Sequence, residues 1–132
     1  VFEALTSTSQ SFNTNSHTHV SFADTDIRVN VGGGVFANSV YTPPVNGYYL
    51  VTGNLNFQGT INRHIIYLRL NAAINDELEQ KYYSGVSKSR LNGTAIRYFT
   101  TSDEIGLNTY AEGSSLASNG NRHLMIALLR TA

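Results

Sequence analysis

Apolar residues recur at every second position along most of the chain. Over residues 47–57, Tyr49, Val51, Leu55 and Phe57 fall on one side of an extended strand, and Tyr48, Leu50, Thr52 and Asn54 on the other. The same period marks residues 61–70, 95–99, 104–111 and 123–129, with shorter candidates over 2–5, 17–22 and 27–31. Eight or more short strands with turn signals about every 8–12 residues predict an all-β sandwich or barrel. Residues 75–83 alone have a helical flavour; they are short and flanked by polar residues, which predicts a loop with one helical turn at most. Pro43-Pro44 and Asn46-Gly47 bracket a tight connection before the long strand, and Gly32-Gly33-Gly34, Asn92-Gly93 and Asn119-Gly120 read as further loop tips. Neither a repeat nor a low-complexity linker divides the chain, so residues 1–132 are read as one domain, expected to be a piece of a longer protein.

The second side of the long strand changes the picture. A face carrying Tyr48, Leu50, Thr52 and Asn54 is neither core nor ordinary solvent surface, and the two adjacent tyrosines face opposite ways. This predicts a second buried surface, between subunits. Composition agrees: charged residues are 14% of the chain, well under the usual ~25%, as expected if part of the surface is covered by self-association. The formal net charge is zero and the only lysines are Lys81 and Lys88, which argues against a nucleic-acid partner. No stretch approaches the ~18 apolar residues of a membrane span, so no membrane insertion is expected. The absence of cysteine removes disulfides, thiolate metal sites and cysteine nucleophiles.

Catalytic signatures are missing. The chain has no Gly-x-Ser-x-Gly elbow, no His-Glu-x-x-His and no phosphate-cradling glycine loop, and it is read as non-enzymatic. His17-x-His19 places two imidazoles on one face of a strand, a permissible metal pair without a third ligand nearby in sequence. Asp24-x-Asp26 is the metal candidate for a hard cation such as Ca²⁺, which takes its oxygens from clustered loop carboxylates; solubilising charge is the competing reading. The candidate ligand site is Asp76, Glu77, Glu79, Tyr82 and Tyr83, in what reads as the longest polar loop. One of the adjacent tyrosines is expected to reach solvent beside acidic groups, the composition of a sugar or polar-epitope site. Packing of both tyrosines inside the sandwich or a subunit interface is the alternative. His64 and His123 are isolated and expected to be satisfied or exposed. Asp103-Glu104 reads as turn chemistry opening a strand.

Several of these segments together resemble a known family. Phe2-x-Ala4, Thr18-x-Val20-x-Phe22 and Tyr41-Thr-Pro-Pro-Val-Asn-Gly-Tyr-Tyr-Leu-Val51 resemble the first half of a C1q-like domain of the C1q/tumour necrosis factor superfamily. Ile66-Tyr-Leu-Arg-Leu-Asn71, Thr101-Ser-Asp-Glu-Ile-Gly-Leu107 and residues 124–129 follow in the family's order. Val51 and Gly53 stand where aromatics are usual, Ser102 replaces the glycine before Asp103, and Ala127 replaces the closing glycine, which leaves the register of the last strand open. The resemblance implies a jelly-roll sandwich of about ten antiparallel strands and a homotrimer with Leu50 and Thr52 near its axis. It also implies an extracellular, cell-surface or virion-surface recognition head for a glycan or protein, with calcium as a cofactor in many relatives. A structural head on a fibrous or collagen-like stalk, the receptor-binding tip of a viral or phage fibre, and a monomeric carbohydrate-binding module are the other roles compatible with it.

Overall fold

The computed structural model describes residues 1–118 and 120–132; Asn119, half of the expected Asn119-Gly120 turn, lies outside the described residues. Ten strands are formed: β1 (Phe2–Thr6), β2 (Gln10–Ser11), β3 (Ser16–His19), β4 (Ile27–Asn30), β5 (Val35–Ala37), β6 (Val40–Thr42), β7 (Gly47–Leu70), β8 (Ala73–Phe99), β9 (Ile105–Ser118) and β10 (Arg122–Thr131). Every strand pairing is antiparallel. A jelly-roll sandwich of about ten strands is thus what the alternation and the resemblance predicted.

The two longest strands cross from one layer to the other. In the first layer the order is β4–β1–β10–β7–β8, using residues 47–58 of β7 and 88–99 of β8. In the second layer, residues 73–86 of β8 pair with residues 61–70 of β7, which pair with β9. Strands β2, β3 and β6 then lie along β9, and β5 pairs with β6. The corner of β7 is at Gly59, with φ +132; a Cβ there would sit 2.6 Å from the Ser115 carbonyl oxygen. The register slips between Gln58 and Arg63, which is how one continuous strand turns its inward side chains toward the same core on both sides of the bend.

That core is built as the period predicted. Tyr49, Val51, Leu55 and Phe57 are all buried, beside Phe2, which packs 4.6 Å from Tyr41 and 4.8 Å from Phe36 (ring centroids). Gly53, standing where the resemblance called for an aromatic, pairs with Gly93. A Cβ on Gly53 would come within 2.7 Å of the Leu107 side chain, and one on Gly93 within 2.3 Å of Leu78 Cβ. The missing aromatic volume is filled from the opposite layer. At one end of the sandwich the buried Arg122 donates to the carbonyls of Thr8, Ser21 and Ser118, tying two loops to the end of β9.

Two sequence expectations are corrected here. Residues 75–83 are not a loop with a helical turn but the edge portion of β8. Asn71 and Ala72, both at positive φ (51° and 65°), make a two-residue turn that returns the chain antiparallel onto β7. An edge strand is wetted on more sides than a central one, so its few inward groups, Leu78, Tyr83 and Val86 among them, suffice to hold it on the core. Asn92-Gly93 likewise is no loop tip: it pairs with Gly53-Asn54 in the middle of the first layer.

Candidate functional site

The expected subunit-facing residues lie together on the outer face of the first layer. Register across β8, β7 and β10 arranges them in rungs. Tyr98, Tyr48 and Arg130 form the first; Ile96, Leu50 and Ala127 the second; Thr94, Thr52 and Met125 the third; Asn92, Asn54 and His123 the fourth. The rungs run from aromatic through aliphatic to hydroxyl and amide. Tyr48 and Tyr98 meet edge to face at 5.4 Å with the Arg130 guanidinium 5.1 Å over the Tyr48 ring, and the Thr52 and Thr94 hydroxyls are 3.2 Å apart. Ile96 is 58% exposed and Tyr98 44%. At the polar end His123 Nε2 lies 2.8 Å from Glu3 Oε1.

The expected ligand residues divide by the alternation of β8. Tyr82 is 68% exposed on the outer face of the second layer. Tyr83 turns inward against the core, and its hydroxyl lies 2.8 Å from Ser89 Oγ. Asp76 accepts two hydrogen bonds from the Arg97 guanidinium at 2.5 Å, which hold its carboxyl below the usual range. Glu79 accepts from the Asn92 backbone N–H at 2.5 Å. Both carboxylates therefore stitch the two layers together at their open edge. Tyr82 and Glu77 are the members of the set left facing solvent. Tyr83→Ala is expected to cost about 2–4 kcal/mol of stability and Tyr82→Ala less than about 1 kcal/mol. Urea denaturation at one fixed protein concentration measures both, and equal losses would remove the inward assignment of Tyr83.

Asp24 and Asp26 serve the local backbone. Asp26 Oδ2 accepts from the Ala23 N–H at 2.7 Å, and Asp24 Oδ1 from the Asn38 N–H at 3.3 Å. Among the described residues, no group of three or more His, Asp or Glu side chains gathers as a metal-holding cluster. Asp103 behaves as turn chemistry, accepting from the Thr100 N–H at 2.7 Å and from Asn71 Nδ2 at 2.8 Å. His64, expected to be satisfied or exposed, is neither: it is fully buried, and neither ring nitrogen has a hydrogen-bond partner among the described residues.

The outer face of the second layer holds a constellation that no sequence motif marks. Arg63 Cζ lies 5.3 Å from the Tyr82 ring centre and 5.5 Å from that of Tyr110, while Nε donates to Gln80 and Nη1 to Glu112. His17 continues the series, 5.0 Å from Tyr110 and 5.5 Å from Tyr67 (ring centres). Tyr82, Arg63, Tyr110, His17 and Tyr67 thus form a ladder of rings with the Arg63 guanidinium set among them, across four strands. Beside it, His19, Thr42, Arg69 and Glu104 line a recess of about 450 Å³. The local signal existed: Arg63, Tyr67 and Arg69 alternate with His64, Ile66, Leu68 and Leu70. Their neighbours on β3 and β9, however, are set by register.

No family sequence model and no curated protein matches the chain. Among solved structures, the globular domain of zebrafish complement 1qA protein superposes with a TM-score of 0.73 at 14% identity, over 99% of this chain and 98% of that one. Rabbit GITRL matches with a TM-score of 0.45 at 19% identity, over 74% of this chain and 76% of that one. The chain has the C1q-like jelly-roll fold.

Proposed function

We propose that this chain is a non-enzymatic, homotrimeric recognition head that works outside the cell and binds a glycan or protein ligand. The observation that carries the reading is the laddered outer face of the first layer. A face that grades from two tyrosines through Leu50 and Ile96 to threonines and asparagines is organised to meet copies of itself: around a threefold axis each rung would face its own chemistry. Burying Leu50, Ile96 and parts of Tyr48 and Tyr98 would contribute on the order of a few kcal/mol per subunit. The chain's likeness in fold to a complement globular domain supports the same reading. No helix of the described residues is long and apolar enough to cross a membrane.

With the first face covered, the outer face of the second layer points outward in three copies. Tyr82, Glu77, Arg63 and His17 would then be offered to ligands, weak individual binding being raised by linkage of the sites. Sedimentation equilibrium over a wide concentration range tests the assembly. A species of three times the chain mass is expected, and a persistent monomer would overturn the trimeric reading. A chelator arm of the same experiment tests calcium as a component of the assembly: a mass that falls on chelation would place the ion in it.

A further inference from the structure

The recess between β3, β6 and β7 on the outer face of the second layer stands apart from the rest of that face, because its polar groups are not paired with one another. Arg63, farther along β7, has a carboxylate partner in Glu112 and donates also to Gln80. Arg69 lines the recess, and its Nε is buried with no hydrogen-bond partner among the described residues. No ion pair among the described residues engages this guanidinium, so a cation without a counter-charge lines the recess, which favours an incoming anion. Next to it, His19 Nε2 lies 3.2 Å from the Ser39 carbonyl oxygen. A carbonyl cannot donate, so this nitrogen carries the proton and Nδ1 of the neutral ring is left as an acceptor. Burial, and secondly the charge of Arg69, lower the His19 pKa and keep the ring neutral.

The floor is fitted to this arrangement. Gly106 pairs with Arg69. A Cβ on it would lie 3.0 Å from the Ser39 carbonyl oxygen and 3.1 Å from His19 Nε2, so a side chain there would crowd the imidazole. In the adjoining rung Asn108 pairs with Tyr67 on one side and His19 on the other. It is 8% exposed and its Oδ1 is buried, so it stands between Tyr67 and His19 as packing and is not offered to a ligand. The next side chains along the face are the rings of Tyr67 and His17. Glu104 is the one carboxylate among the described residues that line the recess. It opposes a dianion more strongly than a monoanion.

We infer that this recess binds the carboxylate of an acidic sugar, with Arg69 on the carboxylate, His19 on a hydroxyl group, and Tyr67 with His17, next along the face, against the C–H face of the ring. The inference rests on the reading of the chain as a recognition head and names the ligand chemistry of that head. One cation, one hydrogen-bond acceptor and an aromatic wall are the complement of a ring that carries one carboxylate and several hydroxyls. The outer face of the second layer lies away from the proposed subunit contact, so assembly would leave three such recesses open.

Titration of the ¹⁵N-labelled protein with glucuronic acid, glucose and inorganic phosphate, followed by amide chemical shifts, tests the assignment. Glucuronic acid is expected to give saturable shifts centred on His19 and Gly106. Glucose, and glucuronic acid with the Arg69→Gln variant, are each expected to bind at least about tenfold more weakly. Equal binding of glucose and glucuronic acid, or undiminished binding by Arg69→Gln, would overturn the inference. Phosphate binding as tightly as glucuronic acid would also overturn it, leaving a plain anion hole. If Arg69→Gln disturbs the fold, as its own spectrum would report, the contrast between glucuronic acid and glucose on the unmodified protein decides. Solution mass measured on the same samples separates the two readings. A trimer without glucuronic acid shifts rejects the site and leaves the assembly; shifts on a monomer do the reverse.

Discussion

Acidification from pH 6.5 to pH 4 is expected to destabilise the fold through His64, and His64→Leu is expected to remove that component. The imidazole is fully buried, its ring centre 3.8 Å from that of Phe57, and neither nitrogen has a hydrogen-bond partner among the described residues. Burial first, and the nearby Lys81 charge second, push its pKa from 6.5 down to about 3. The unfolded chain therefore takes up a proton near pH 6.5 that the folded chain refuses until about pH 3. Between those limits the unfolded state binds more protons, so stability falls as pH falls, by about 1.4 kcal/mol per unit. Well above the unfolded-state pKa both states are neutral at this position and the effect vanishes. Leucine fills a similar volume, carries no proton and replaces two unpaired nitrogens with carbon, so the variant is expected to be at least as stable at pH 7. Denaturant midpoints of the two proteins measured from pH 7 to pH 4 should diverge progressively. Asp76 and Asp103, whose pKa values are lowered by their own partners, titrate in both proteins and cancel in the difference. Parallel curves would mean that the buried ring is protonated or hydrated in the native state.

His64 also marks where the information in local sequence stops. A strand's two faces are a property of its own residues, so the burial of Tyr49, Val51, Leu55 and Phe57 and the opposite placement of Tyr48 and Leu50 are legible in the alternation alone. So is the opposition of Tyr82 and Tyr83. What a side chain meets across the sheet depends on register, and register is set at a distance. His64 faces inward because the register slips at the Gly59 corner restart the alternation of β7. His64 falls in phase with Ile66, Leu68 and Leu70, so its inward side is legible locally; that its ring nitrogens meet no partner there is not. The misreading of residues 75–83 has a different cause. Edge strands bury less, so their pattern is weak, and the turn that commits them to pairing, Asn71-Ala72, uses an alanine at positive φ where glycine would have been recognisable. Asp76 and Glu79 resembled ligand groups because acidic clusters are visible in sequence, whereas their partners, Arg97 and the Asn92 N–H, are 21 and 13 residues away along the chain. The Arg69 recess was hidden for the same reason. Three of the residues that line it, His19, Thr42 and Arg69, come from three strands and share no local pattern.

Leu50→Asp is expected to convert the assembled protein to folded monomers. Leu50 is half-buried in the single chain, in the rung between Ile96 and Ala127 and directly beneath the Tyr48–Tyr98 pair. As a monomer the variant loses little, because the outer face of the first layer is then wet and a carboxylate there is solvated. In a threefold assembly the same change would bring three carboxylates together among isoleucine and tyrosine side chains. Desolvation and mutual repulsion of that cluster would cost several kcal/mol, against an interface whose apolar contribution is itself a few kcal/mol per subunit. Sedimentation equilibrium should therefore show the mass falling from three chains to one, with the far-ultraviolet dichroism of the β fold unchanged. Tyr82→Asp, which adds the same charge to the opposite layer, should leave the mass as it was, and this contrast locates the contact. A Leu50→Asp protein of unchanged mass would remove Leu50 from the axis. If Tyr82→Asp dissociated the protein instead, the subunit contact would lie on the outer face of the second layer and would bury the ring-and-cation ladder. The recognition surface would then have to be sought among the tyrosines and threonines of the first.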